Sequence, residues 1–249
     1  IAAASERGVI VCNAPNSNVI SAAEHTMALL LAAARHIPEA SASMHEGQWR
    51  RADFMGSELF GKTLAIFGLG RVGGLVAERA AAFGMNLIGH DPYCSPERAL
   101  HLGVTLYDDM APVLAQADFI TVHLPRTVST LGMFGADEFA AMKDGAILIN
   151  TSRGGLVDDK ALAKAVRSGK LSGAGLDVVE EEPLPACHEL LSDPNIIVTP
   201  HIGGGTADIG DVIIPMLTED IKALADGRTP AHVVNNCLLY TSPSPRDCS

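Results

Sequence analysis

Short apolar runs alternate with helical patterns through the middle of the chain. The runs are four to six residues long, and each one predicts a buried strand. They occupy residues 64–67, 86–89, 119–124, 146–150, 173–178 and 196–199, with helices predicted at 136–142 and 158–168. Strands that are apolar at nearly every position and joined by helices indicate a parallel sheet covered on both faces. The pattern therefore predicts an α/β fold with a doubly wound parallel sheet.

Two further helices are predicted outside this alternating region. Residues 21–35 are apolar on nearly every side; Ser21 and Glu24 have the spacing of a capping box, and Pro38 follows the end. Such a helix is buried either in a core or at a subunit contact, and the pattern leaves both open. Residues 205–225 predict the second helix, with Pro215 as a kink or a start. Near the beginning of the chain, residues 8–12 predict a strand.

The overall composition narrows the class of protein. The 249 residues are 47% hydrophobic, enough to bury a sizeable core, and they carry a formal net charge of −11. An acidic chain without a Lys/Arg cluster is a poor partner for nucleic acid. The longest apolar stretch, residues 27–34, is far shorter than the roughly 20 residues of a membrane span. No signal-peptide pattern opens the chain, so we expect a cytoplasmic protein without a membrane partner.

The five cysteines form no CxxC pair, so they predict neither a zinc site nor a redox motif, and we expect no metal. Scattered thiols also indicate a reducing compartment. The last residues, 237–249, are rich in Ser and Pro and show no hydrophobic periodicity. We interpret them as a disordered tail or an artefact of the sequence.

A glycine-rich turn follows the strand predicted at residues 64–67. Gly68, Gly70 and Gly73 form a GxGxxG pattern between an apolar run and a helical pattern, and Asp91 closes the next apolar run. Such glycines turn the chain, admit pyrophosphate to the backbone and let the helix pack closely, with phosphate on the helix N-terminus. A carboxylate at Asp91 can accept hydrogen bonds from both ribose hydroxyls and repels a 2′-phosphate. The turn therefore predicts a dinucleotide site that prefers NAD to NADP.

Polar residues follow the later predicted strands, at the edge where a doubly wound sheet binds its ligands. Arg153 precedes two glycines, so its guanidinium can hold a ligand carboxylate, although a surface ion pair would use the same residue. His201 is a candidate acid/base, although a lone histidine is commonly buried and satisfied. Glu182 is either the partner of His201 or one of three solvated acids. Asp177 is either a ligand-binding residue or a turn cap.

The sequence resembles the D-isomer-specific 2-hydroxyacid dehydrogenase family from about residue 3 to residue 235. The similarity rests on separated blocks, among them ELFGKTLAIFGLGRVG, DFITVHLP, INTSRGGLVDDKAL, GAGLDVVEEEP and NIIVTPHIGG. Within the family, it is most similar to the D-3-phosphoglycerate dehydrogenases. The resemblance implies a Rossmann-type NAD domain at residues 16–202, with remnants of a second, flavodoxin-like substrate domain at residues 1–15 and a return segment at 203–236.

The resemblance also assigns roles to individual residues. It implies that Arg153, Glu182 and His201 are the catalytic residues. It further implies NAD contacts from the glycine turn and the strand ends: Gly68, Gly70, Arg71, Val72, Gly73, Asp91, Leu124, Pro125, Thr151, Ser152, Arg153, Asp177, His201, Gly203 and Gly204. His25 resembles a family position on an interface helix, so we expect it to pack rather than to react.

These roles imply NAD-dependent oxidation of a D-2-hydroxy acid to the 2-keto acid, with 3-phosphoglycerate of serine biosynthesis as substrate. Arg153 would hold the substrate carboxylate, and His201 would take the C2 hydroxyl proton while Glu182 orients the imidazole and raises its pKa. Glu182 itself as the base fits poorly, because an exposed carboxylate is a weak base. A glyoxylate or hydroxypyruvate reductase and a non-catalytic NAD-sensing co-regulator are the alternatives. The expected partners are a small 2-hydroxy or 2-keto acid and further copies of the chain, in a homodimer or a larger homo-oligomer.

Some features depart from the family pattern. Val179 and His90 stand where the family commonly has aromatics, and Gly203 to Gly205 stand where Gly-Ala-Ser is frequent; we expect these changes to tune packing only. We also expect the family's N-terminal portion, one wall of the cleft, to lie upstream of Ile1. The chain as given should then bind NAD but turn over a 2-hydroxy acid poorly.

Overall fold

The computed structural model describes residues 1–235, which divide into two compact units. The larger unit is Val19–Gly204, and the smaller one combines Ile1–Asn18 with the chain from Gly205 onward. The tail predicted at residues 237–249 lies outside the described residues. The assignment of the chain ends to a substrate domain stays a prediction.

Helices and strands alternate along the larger unit. The helices of the described chain are α1 (Ala2–Ser5), α2 (Val19–Arg35), α3 (Ile37–His45), α4 (Arg71–Ala82), α5 (Pro96–His101), α6 (Met110–Gln116), α7 (Ala136–Ala141), α8 (Asp159–Arg167) and α9 (Ile209–Ala225). The strands are β1 (Thr63–Phe67), β2 (Asn86–His90), β3 (Thr105–Leu106), β4 (Phe119–Val122), β5 (Ala146–Asn150), β6 (Leu171–Leu176) and β7 (Ile196–Val198). Short 3-10 helices span Arg51–Asp53 and Glu189–Ser192.

The seven strands form one sheet in the order β3-β2-β1-β4-β5-β6-β7, and every neighbouring pair is parallel. The predicted doubly wound α/β fold is thereby confirmed. The chain leaves β1 for β2 on one side and returns to β4 on the other side of β1. Ligands of such sheets bind at this reversal, outside the carboxyl ends of the strands. The ends of β1 and β4 therefore position the site.

Strand β1 shows why both faces of the sheet are covered. Leu64 and Ile66 belong to a core packed by α2, α4 and α5, while Ala65 and Phe67 belong to a core packed by α6, α7 and α8. All four residues are fully buried. Because successive side chains of a strand point to opposite faces, a continuously apolar strand requires a core on each side.

Helix α2 differs from its prediction at the N-terminal end. It begins at Val19, so Ser21 lies in the first turn and is not the helix cap. Its C-terminal end agrees with the prediction, but His36 takes a left-handed φ of 51° and α3 starts directly afterwards with Pro38 in its first turn. Seven residues of α2 are buried, and the helix packs on α4 and on the sheet. Core packing within its own unit therefore accounts for its apolar character.

The predicted strand at residues 8–12 is wrong. In the described chain only Cys12 of this segment pairs, in a single antiparallel bridge with Val233. The Asn235 side chain instead accepts from the Val11 N–H and donates to the Val9 carbonyl, at 2.9 Å each. The segment has high strand propensity but lacks a long neighbouring strand, and propensity alone does not form a ladder.

Helix α9 begins at Ile209 and continues through Pro215, so Pro215 is not its start. Strand β4 ends at Val122, two residues before the predicted end, and β6 runs two residues earlier than predicted at both ends. The segments after these strands therefore begin at His123 and Asp177. Both residues lie at the carboxyl edge of the sheet rather than inside it.

Candidate active site

The three glycines of the GxGxxG turn between β1 and α4 play different roles. Gly68 has a φ of 94°, and a Cβ there would lie 2.5 Å from the His123 carbonyl oxygen. A Cβ on Gly73 would collide with the Gly68 carbonyl oxygen. A Cβ on Gly70 would meet nothing within 4 Å. Two glycines therefore permit close backbone packing, while the third faces open space at the helix N-terminus.

Asp91 holds the glycine turn from the adjacent strand. Its Oδ2 accepts the Leu69 N–H at 2.7 Å, and its Oδ1 accepts the Tyr93 N–H at 2.9 Å. Each carboxylate oxygen has a further lone pair, and the side chain is only partly buried, so it can accept more hydrogen bonds. Next to this contact, Arg71 is exposed at the start of α4, and Val72 is half-buried.

The end of β4 lies beside the turn. The Leu124 Cδ2 would be 3.1 Å from a Cβ on Gly68, and the Pro125 carbonyl accepts the Thr130 hydroxyl at 2.6 Å. His123 Nε2 lies 2.9 Å from the Thr121 Oγ1. Burial lowers the pKa of His123 to about 4. The ring is therefore neutral at physiological pH and adds no positive charge to the cleft.

The turn after β5 is shaped by an asparagine that was not among the predicted site residues. Asn150 Oδ1 accepts the Ser152 N–H at 3.1 Å and its hydroxyl at 2.9 Å, while Nδ2 donates to the Arg153 carbonyl at 3.0 Å. The Thr151 hydroxyl lies 2.7 Å from the Thr26 hydroxyl of α2. The Arg153 side chain is exposed and donates to the Ser152 carbonyl.

The glycines after Arg153 serve the backbone rather than the guanidinium. A Cβ on Gly154 would collide with the Val179 carbonyl oxygen, and Gly155 has a φ of 78°. The turn after β5 thus packs directly on the loop after β6. The buried Asp159 carboxylate accepts the Glu180 N–H of that loop at 3.0 Å, and burial raises the pKa of Asp159.

Glu182 and His201 are in contact, which agrees with the first of the two readings of Glu182, as the partner of His201. His201 Nδ1 lies 2.8 Å from Glu182 Oε2, and Glu182 Oε1 accepts the Val179 N–H at 3.3 Å. The side chains are 53% and 39% exposed, so neither group is sealed from a ligand. Arg153 makes no hydrogen bond with either one in the described part of the chain.

Asp177 holds the turn that carries His201. The Asp177 side chain is 1% exposed; Oδ1 accepts the Thr199 hydroxyl at 2.6 Å and the Ile202 N–H at 2.9 Å, and Oδ2 accepts the Gly203 N–H at 2.7 Å. His201 takes a left-handed φ of 55° between these contacts. These are the contacts of a turn cap; contact with NAD stays a prediction for this residue. Gly203 is buried against Asp177, and the next residue, Gly204, is half-buried.

His25 joins the same network from α2. Its Nε2 lies 3.1 Å from the Thr199 Oγ1 and 3.2 Å from the Asp177 Oδ1. The sequence prediction assigned His25 to packing alone. Nothing in the sequence indicated these hydrogen bonds, because the partners of His25 lie more than 150 positions away in the chain.

A cavity of about 360 Å³ opens beside the Glu182–His201 pair. Its walls are mainly apolar, and its lining includes Val179, Glu182, Leu184, Leu191, Pro200 and His201. Within residues 1–235, no group of three or more His, Cys, Asp or Glu side chains is placed to hold a metal ion. No helix in that range combines the length and apolarity of a membrane span.

Comparison with known proteins decides the family. Residues 27–203 match the family model for the D-isomer specific 2-hydroxyacid dehydrogenase, NAD binding domain. The chain belongs to the D-isomer-specific 2-hydroxyacid dehydrogenase family. It is 48% identical over 235 residues to the D-3-phosphoglycerate dehydrogenase of Methanocaldococcus jannaschii, covering 94% of this chain and 45% of that protein. The chain thus spans less than half the length of this relative.

Solved structures of the family share the fold. A D-lactate dehydrogenase with NAD+ from Lactobacillus jensenii has a TM-score of 0.83 and 32% identity, over 93% of this chain and 73% of that one. A glyoxylate reductase from Paecilomyes thermophila has a TM-score of 0.84 and 34% identity, over 95% and 71% of the two chains.

The residues of the glycine turn fit NAD, the cofactor of this family's domain. Gly70 faces the open space that a pyrophosphate needs at the N-terminus of α4, and the neighbouring glycines allow the backbone to approach it. Asp91 retains acceptor capacity for ribose hydroxyls at the end of β2. The site therefore has the shape and the hydrogen-bonding groups of a dinucleotide site.

Proposed function

We propose that this chain carries the cofactor-binding and acid–base residues of an NAD-dependent D-2-hydroxyacid dehydrogenase that oxidises 3-phosphoglycerate to 3-phosphohydroxypyruvate in serine biosynthesis. The 2.8 Å contact between His201 and Glu182, at the sheet edge that also carries the glycine turn, is the observation on which the proposal rests. The similarity to D-3-phosphoglycerate dehydrogenases supports the choice of substrate.

His201 acts as the acid/base in this proposal. Its Nδ1 faces the Glu182 carboxylate, so Nδ1 carries a proton and Nε2 is the nitrogen that accepts the C2 hydroxyl proton. Glu182 stabilises the imidazolium that forms and keeps the ring in one orientation. The left-handed backbone of His201 aims the ring from a turn that Asp177 holds in place.

Arg153 binds the substrate carboxylate. Its side chain is exposed at the end of β5, and the hydrogen bonds of Asn150 fix the backbone from which it projects. A guanidinium presents paired donors that match a carboxylate, which places the C2 hydrogen in a defined position. When NAD is bound at the glycine turn, it supplies the hydride acceptor.

An activity assay on the purified full-length protein tests the proposal. Initial rates of NAD reduction are measured with 3-phosphoglycerate, D-glycerate and D-lactate, beside NAD binding by calorimetry. We expect the highest kcat/KM for 3-phosphoglycerate and loss of turnover in His201→Gln. A protein that binds NAD but turns over none of these acids, in either direction, would be a co-regulator rather than an enzyme.

A glyoxylate or hydroxypyruvate reductase is the second candidate. The similarity to a glyoxylate reductase over 95% of this chain favours it. The same assay, run in reverse with NADH and with glyoxylate, hydroxypyruvate or 3-phosphohydroxypyruvate, separates the two activities. A higher kcat/KM for glyoxylate than for the phosphorylated keto acid would assign the reductase.

We also propose that the protein is cytoplasmic and forms a homodimer or a larger homo-oligomer. The free thiols of Cys12, Cys94 and Cys187 support a reducing compartment. Exposed apolar side chains on α9, such as Ile214 and Ile221, support burial against another surface. Light scattering after gel filtration measures the mass, and cell fractionation measures the compartment.

A further inference from the structure

One arginine outside the predicted site binds the backbone of the glycine turn. Arg98 lies on α5, whose N-cap Ser95 accepts the Arg98 N–H at 3.2 Å. From there the guanidinium Nε donates to the Leu69 carbonyl and Nη2 donates to the Gly70 carbonyl, each at 2.8 Å. One side chain therefore binds two consecutive carbonyls of the turn.

We propose that Arg98 is a positioning residue for NAD, which holds the glycine turn in the conformation that binds pyrophosphate. This inference rests on the NAD site described above. In a planar trans peptide the carbonyl and the following N–H point in opposite directions. By fixing the carbonyls of Leu69 and Gly70, Arg98 directs the N–H groups of Gly70 and Arg71 away from itself. These are the N-terminal donors of α4, to which a phosphate binds.

The surroundings of the guanidinium support this role. A Cβ on Gly74 would lie 3.0 Å from Arg98 Nη2, so this glycine leaves room for the guanidinium against the first turn of α4. The Gly70 carbonyl also accepts the first helical hydrogen bond, from the Gly74 N–H at 3.0 Å. Arg98 thus binds the turn at the point where it becomes a helix.

Two side chains from one segment hold the turn by complementary groups. Asp91 accepts the Leu69 N–H, while Arg98 donates to the Leu69 and Gly70 carbonyls. Without Arg98 the two peptide planes could rotate, and their N–H groups would need to be ordered when the cofactor binds. A lysine cannot replace it fully, because an ammonium lacks the fixed fork that binds two carbonyls in one plane.

Calorimetric titration tests the proposal on Arg98→Gln and Arg98→Lys, with Arg79→Gln as the matched control. Arg79 lies on α4 and also donates to a carbonyl, that of Leu75 at 3.1 Å, but it does not contact the turn. The probes are NAD, ADP-ribose, adenosine and NADP. Urea unfolding of each variant without ligand verifies the fold.

We expect the Kd of NAD and of ADP-ribose to rise about tenfold in Arg98→Gln, the equivalent of one hydrogen bond to a charged group. The rise should be smaller in Arg98→Lys, and adenosine, which lacks phosphate, should bind unchanged. In turnover assays the KM for NAD should rise with kcat unchanged. In a third variant, Arg98→Ala, which removes the whole guanidinium, millimolar guanidinium added to the solution should partly restore NAD binding.

Three results would overturn the proposal. The first is an unchanged Kd for NAD in Arg98→Gln, and the second is a loss of affinity for adenosine equal to that for NAD. The third is a loss of affinity for NADP larger than that for NAD, which would mean that Arg98 contacts the 2′-phosphate directly. Failure of the unmutated chain to bind NAD or ADP-ribose would instead overturn the cofactor assignment, and this proposal with it.

Discussion

The glycine turn and the His201 turn lie at the same edge of the sheet but are built in opposite ways. The glycine turn is formed by the absence of side chains, because a Cβ on Gly68 or Gly73 would collide with backbone. The His201 turn is formed by the presence of one, because the Asp177 carboxylate accepts the N–H groups of Ile202 and Gly203. The first turn suits a ligand that binds backbone donors, and the second holds a side chain that must react.

The largest expected effect concerns the second turn. In the active enzyme, His201→Gln should lower kcat by about 10²–10⁴-fold, because the acid/base is lost. The Kd of NAD should change much less than kcat, because the glycine turn and Asp91 supply the pyrophosphate and ribose contacts without His201. Steady-state kinetics and calorimetry measure the two quantities, with His101→Gln on α5 as the control. Near-normal kcat in His201→Gln across the pH range would assign the acid/base role to another residue.

A pair of glycine variants compares steric demand in the turn after β5 with that in the glycine turn. Gly154→Ala should lower the free energy of unfolding by about 3 kcal/mol, because the new Cβ meets the Val179 carbonyl. Gly70→Ala should change stability by less than about 1 kcal/mol but weaken NAD binding, because its Cβ enters open space. Urea unfolding and NAD titration measure both variants. Equal stability losses would contradict the different roles assigned to these glycines.

Stability should depend on pH through His123. Its folded-state pKa of about 4 lies below the ordinary value of 6.5. Between these two pH values the unfolded chain binds a proton that the folded chain does not, so stability is lost as the pH falls. The loss should be about 2 kcal/mol between pH 7 and pH 5. Because other groups titrate as well, the test is the difference in urea unfolding between the unmutated protein and His123→Gln, which should show a smaller loss.

A further effect concerns cofactor choice at the glycine turn. NAD should bind more tightly than NADP, because Asp91 would place a carboxylate beside the 2′-phosphate, a penalty of about 1 to 3 kcal/mol. Asp91→Ala should narrow that preference, while Asp108→Ala, which changes an exposed acid after β3, should not. Equal dissociation constants for the two cofactors in the unmutated protein would contradict the role of Asp91.

The sequence was sufficient for the features that depend on neighbours along the chain. The glycine spacing and the acid at residue 91 are local, and so is the apolar pattern of β1, β2 and β5. Arg98, His25 and Asp159 were missed because their partners lie 21 to 174 positions away in the chain. The two glycines after Arg153 were noticed in the sequence, but they were explained by the space that the guanidinium needs. The fold shows a different reason, because the Val179 carbonyl lies beside Gly154.

The buried Asp177 carboxylate has a consequence for substrate affinity. The amides after His201 are ordered when the chain folds, so the conformational entropy of fixing this turn is lost before any substrate arrives. Substrate binding then needs no further ordering of the backbone that carries the imidazole. The reacting group is therefore made rigid when the chain folds, whereas the affinity for the substrate is determined later, when the substrate binds. Amide hydrogen exchange at Ile202 and Gly203 should accordingly be slow even in the protein without ligand. This is expected although the side chain of the preceding residue, His201, is exposed to solvent.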